Sequence, residues 1–228
     1  WMTALRHAMR VQKPWETTVN LKTNQEWQIR PPEVGSNLED DLKPYLSESD
    51  MADIATKDNK QTALLYQQSH HLRRLKEKGI IWEFSFLELE AIIQEFFNLQ
   101  GKTERIKNFP YPRQFATLNH YFMWLFILLL PVALVPQFAA IGNEHAADYP
   151  MIGSWFIWLS VPFYVIIAWI FHTLERIGRT GENPFEGTSN DVPISTIARG
   201  IEIDLRQNLG EPKEDIPAQF PTPLDIQF

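Results

Sequence analysis

Asn183, Glu186, Asn190 and Asp191 put four oxygen-bearing side chains into one short loop, ENPFEGTSND, residues 182–191. Carboxylates and carboxamides grouped this way suit a hard cation such as calcium, which is held by oxygen. They suit helix capping equally well, with Asn190 or Asp191 accepting backbone N–H groups ahead of Pro193. Histidines are the other candidate ligands. His70 and His71 are adjacent on a helical stretch and point about 100° apart, so one ion is not easily shared between them; a surface or interface role is the simpler reading. His120 and His172 lie near the ends of apolar segments. An ionisable group inside a span is a functional candidate by default, but near the interface a histidine costs little.

No enzyme constellation accompanies these groups. The chain has no P-loop, G-x-G-x-x-G or H-E-x-x-H, and no G-x-S-x-G nucleophile elbow. It contains no cysteine, which removes disulfides, thiolate metal sites and Cys nucleophiles. The formal net charge of -7 and the lack of a basic stripe argue against nucleic acid as a partner.

The element that must position these residues is a pair of apolar segments, 121–141 and 151–174, joined by GNEHAADYP. Each is long enough to cross a hydrocarbon core of about 30 Å. The spans are placed at about 119–141 and 151–174 within a hairpin region 108–180. Lys102, Arg105, Lys107 and Arg113 precede the first span, and Arg176 and Arg179 follow the second, while the connecting loop holds no Lys or Arg. That bias places both chain ends in the cytoplasm and the loop outside the cell membrane. Pro131, Pro136 and Pro162 fall within the spans and are expected to interrupt their hydrogen-bond ladders and bend them. Such interruptions call for neighbouring helices to satisfy the freed carbonyls.

The polar remainder reads as a helical cytoplasmic region, 1–107. Residues 1–13 form an amphipathic helix, with Met2, Leu5 and Met9 opposite Arg6, His7 and Arg10, stopped by Pro14. Such a helix could lie on a membrane surface or pack against another helix. Residues 16–56 read as mostly loop, and their acidic run as a solvated face or a partner site. Helices follow at 57–78, closed by Gly79, and at 85–99, opened by a Ser85/Glu88 capping box and ended by Gly101. After the hairpin, 181–210 holds the turn and a helix at 192–209, with Ile194, Ile197, Ile201 and Leu205 on one side. The Pro-rich tail, 211–228, reads as an extended arm, disordered or laid along a neighbour. The fold class is therefore an all-α membrane protein: a transmembrane helical hairpin with a helical cytoplasmic body.

Three motifs resemble the bestrophin family. TERIKNFPYP, residues 103–112, is similar to the ERI-x-x-x-P-x-P approach to the third membrane helix of bacterial bestrophin-like channels. ENPFEGTSNDVPI followed by IEIDL is similar to the segment after their last span, and TALRHAMR, residues 3–10, to the helix after their second. The resemblance implies a homo-oligomer, a pentamer, embedded in membrane lipid and conducting chloride or other small monovalent ions; some bacterial relatives pass cations. It implies that this chain lacks the first two membrane helices, and with them the neck-lining residues. It implies that Tyr111, between Pro110 and Pro112, points into the pore as the narrow aperture; packing against Phe109 is the alternative. In the animal members the turn at 183–191, with more acids, forms a calcium clasp. A membrane-anchored scaffold without transport, and a membrane enzyme working through its acidic segments, are the competing functions.

Overall fold

A computed structural model describes residues 1–16, 26, 30–109, 113–146, 153, 155–181 and 183–228. The regular elements among the described residues are helices, with no strand among them. The chain divides into two compact units, Trp1–Phe109 with Asn183–Phe228, and Pro110–Glu182.

In the first unit, α1 (Met2–Arg10) sits at the centre. It packs on α2 (Leu38–Leu42), α4 (Lys60–Glu77), α5 (Glu83–Asn108) and α8 (Ile194–Asn208). Its Ala4 joins Leu42, Ala63, Leu64 and Ile54 of α3 (Glu48–Ala55) in the apolar core. The segment expected to be mostly loop thus contains two helices. Each has a local cap: Asn37 accepts the Glu39 N–H, and Ser47 accepts the Asp50 N–H. Acids in their first turns complement the helix dipoles. The acidic run is therefore in good part a set of helix starts.

α4 begins behind Asn59, which accepts the Thr62 N–H at 2.8 Å, and ends at Gly79, whose φ of 71° a side chain would resist. α5 returns antiparallel to it. Lys76 meets Glu83, Ser69 meets Glu90, Gln100 meets Thr62, and Gln61 meets Glu104. α5 is longer than the sequence suggested. It starts at Glu83 behind Trp82, leaves Ser85 inside the helix, and runs through Gly101 to Asn108. An internal glycine costs only about 1 kcal/mol against alanine, and the Gln100 and Glu104 bonds to α4 hold the helix on both sides of it.

The arm 211–228 lies along its own chain. Phe220 sits between Arg6 and Arg199, whose guanidinium carbons are 4.9 and 4.5 Å from the ring centroid. The Phe228 carbonyl accepts the Thr196 N–H at 2.6 Å, and Phe228 is buried. A Pro-rich stretch without helical period is held here by cation–π and backbone bonds, which leave no periodic mark in a sequence.

The second unit is the hairpin of α6 (Arg113–His145) and α7 (Ser160–Thr180). It is antiparallel and zipped by rings: Phe126 against Phe171 at 4.7 Å, and Phe138 against Phe163 at 5.7 Å. Near the turn, Gly142 and Gly153 approach so closely that a Cβ on Gly142 would stand 2.6 Å from the Gly153 carbonyl oxygen. α6 continues through Pro131 and Pro136 as one helix. Pro162 falls in the first turn of α7, directly behind a 3-10 turn at Ile157–Leu159. There, in the first turn, a missing N–H is tolerated more readily than in a helix interior. The stretches Thr117–His145 and Ile157–Gly178 are long and apolar enough to cross a membrane, and only 11% and 6% of their most apolar windows are buried. A helix at the centre of a water-soluble core would be covered; these are bare.

Candidate functional site

The polar face of α1 is a buried face. Arg6 donates from Nη1 to Glu33 Oε1 at 2.7 Å and from Nη2 to Asp41 Oδ2 at 2.6 Å. His7 Nε2 meets the same Asp41 oxygen at 2.9 Å. Ser195, at the start of α8, donates to the other Glu33 oxygen at 2.8 Å. Four separate pieces of chain meet here, two of them supplying the carboxylates. On sequence, Arg6, His7 and Arg10 were the polar side of an amphipathic helix; the fold turns that side inward, where each charge must be paired. The carboxylate partners of Arg6 and His7 lie 27 to 35 residues away along the chain, so no local pattern announces them.

Arg10 extends the network to the 183–191 turn. Its side chain is 2% exposed, and Nη2 donates to the Val192 carbonyl at 3.4 Å. Burial pushes its guanidinium below the usual range, and the charges of Glu33, Asp191 and Glu16 push it back. Glu16 is also the partner of Lys107 in a buried ion pair, both side chains 3% exposed. Burial lowers the Lys107 ammonium, with Glu16 opposing. Lys107, one of the cations expected to orient the hairpin, is thus committed to an internal partner.

The turn itself is closed by its own hydrogen bonds. Asp191 Oδ2 accepts the Gly187 and Thr188 N–H groups at 2.6 and 2.9 Å, and Oδ1 accepts the Thr188 hydroxyl at 2.5 Å. Asn183 donates its amide to Glu186 at 2.5 Å, and the Val192 N–H reaches the Pro184 carbonyl. Gly187 has a φ of 93°, and a Cβ there would fall 2.5 Å from Pro31 Cγ, so only glycine fits. Asn190 is exposed. Helix α8 starts behind Pro193 with no side chain capping it. Asp191 therefore closes its own turn, accepting from donors three and four residues before it rather than from the start of α8. Among the described residues, no group of three or more His, Cys, Asp or Glu is arranged to hold a metal ion.

In the hairpin, His120 Nδ1 lies 3.0 Å from Glu175 Oε1, across α6 and α7. Trp124 stands between His120 and His172, its ring 6.2 and 6.0 Å from theirs. His120 is thus engaged in a specific pair, beyond the ordinary interfacial histidine. Tyr111 and its two prolines lie outside the described residues, as does the 147–150 end of the hairpin loop.

The description "Bacterial/Fungal Bestrophin protein" belongs to the family whose profile matches residues 2–207. The voltage-dependent anion channel-forming protein YneE of Salmonella typhi is 26% identical over 179 residues, 78% of this chain and 52% of that protein. The protein of the same description from Ralstonia nicotianae is 25% identical over 173 residues, 76% of this chain and 51% of its own length. The chain spans about half the length of the curated relatives it matches. A bacterial bestrophin homologue from Klebsiella pneumoniae, solved by crystallography, superposes with a TM-score of 0.66 at 19% identity, covering 92% of this chain and 63% of that one. Its helical fold is the fold described above. With the profile running from α1 to the end of α8, the chain belongs to the bacterial and fungal bestrophin family.

Proposed function

We propose that this chain belongs to a subunit of an oligomeric ion channel, passing chloride or other small anions down their gradient. The observation that carries the reading is the family profile across nearly the whole chain, joined to relatives described as voltage-dependent anion channel-forming proteins. The bare hairpin supports a membrane setting. Uncovered apolar stripes support assembly with further copies: Ile92, Leu99 and Ile106 recur every seven residues on α5, and Ile197, Ile201 and Leu205 line α8, all between 44% and 58% exposed. A pentamer of such subunits, with both chain ends cytoplasmic, is the arrangement proposed. The test is current through the full-length protein in a planar bilayer under asymmetric potassium chloride. Reversal near the chloride equilibrium potential is expected. A silent protein that still assembles would leave the scaffold reading instead.

Within that channel, Tyr111 is proposed to form the aperture. A residue that precedes a proline, as Tyr111 precedes Pro112 in the sequence, is biased toward extended backbone, and a ring of such side chains around an axis sets a size limit and a dehydration barrier. Tyr111→Ala is expected to raise conductance or relax selectivity, while Phe109→Ala changes stability alone. Unaltered conductance and permeability ratios in Tyr111→Ala would remove the assignment.

A further inference from the structure

We infer that His120 and Glu175 form a proton-dependent latch at the open end of the hairpin, the end opposite the Gly142–Gly153 approach. Glu175 is the acid within the second apolar stretch, and its side chain is 7% exposed. A carboxylate so placed must be paired or neutral. Its partner across the helices is an imidazole, the side chain whose ordinary titration spans physiological pH. Protonated His120 makes a charge-assisted bond that draws α6 to α7; neutral His120 leaves a weaker hydrogen bond.

Aromatic rings and a second histidine surround the pair. From α6, the rings of Tyr121 and Trp124 flank His120. From α7, His172 touches the cluster through Trp124, with its Nδ1 buried and without a hydrogen-bond partner. Arg176, beside Glu175 in sequence, is exposed, and Glu144 and His145 stand at the far end of α6. Above the pair the hairpin is held by ring packing and the glycine approach, neither of which titrates.

Because the chain has no cysteine, spin labels can be placed only where wanted, at Leu118→Cys and Leu174→Cys, both exposed positions near the pair. The labelled chain, diluted with unlabelled chain in phosphatidylcholine nanodiscs, is measured by double electron–electron resonance at acidic and alkaline pH. The expected result is a narrow distance distribution in acid that broadens as pH rises. His120→Gln and Glu175→Gln each give the broad form at every pH, while His172→Gln keeps the response. A distribution that does not change with pH in the otherwise native chain overturns the latch. So does a response that survives His120→Gln, or one that is lost only in His172→Gln. No current is read, so failure here is separable from failure of the channel assignment.

Discussion

Arg6 and Glu33 meet at 2.7 Å with 5% and 3% of their side chains exposed, a fully buried ion pair at the heart of the polar unit. Removing one member strands the other charge out of water. Arg6→Ala should therefore destabilise the unit by about 3–5 kcal/mol, read by chemical unfolding. The apolar double replacement Arg6→Met with Glu33→Leu should cost much less. A small effect from Arg6→Ala alone would mean that the pair is solvated.

The turn at 183–191 should stand without metal. Asp191 already accepts three donors from Gly187 and Thr188, and Arg10 brings a compensating charge. Excess calcium should leave the melting temperature unchanged. Asp191→Ala should cost about 1–3 kcal/mol by leaving buried donors unsatisfied. A calcium-dependent rise in melting temperature would restore the clasp reading.

Tyr45 supplies a pH signature. Its hydroxyl donates to Glu202 of α8, and burial, then this bond and the Glu202 charge, push the phenol up to about 12. The folded value lies above the ordinary 10.0, so the folded chain holds this proton more tightly. The associated stability is full below pH 10 and is lost as pH rises from there through about 12. Ultraviolet titration of the phenolate should follow that order. Glu202→Gln should bring the midpoint down toward the ordinary value, by removing the Glu202 charge.

The hairpin tip depends on two missing side chains. A Cβ on Gly142 meets the Gly153 carbonyl oxygen at 2.6 Å, backbone that cannot swing aside. Gly142→Ala should lower the melting temperature of the chain in detergent. Gly178→Ala, where an added Cβ meets nothing within 4 Å, should not. Equal behaviour of the two would show that the close approach is dispensable.

The sequence by itself determined the hairpin and most of the helices. Twenty-residue apolar runs have one stable solution in lipid, and glycine at a positive φ stops a helix whatever surrounds it, as Gly79 does. It carried the family through local strings of residues around 103–112 and 182–205. Tertiary structure decided where charges go. Arg6 and Lys107 look like surface cations in sequence, because nothing local names Glu33 or Glu16 as partners. It decided that α5 runs through Gly101, since side-chain bonds to α4 outweigh a weak local preference. It decided that the arm returns to its own chain, through Phe220 between two arginines brought together from α1 and α8. It also paired His120 with Glu175 from opposite helices. Periodicity records which face of an element is apolar. A charge pair between distant segments has no period, so it is settled only when the chain folds.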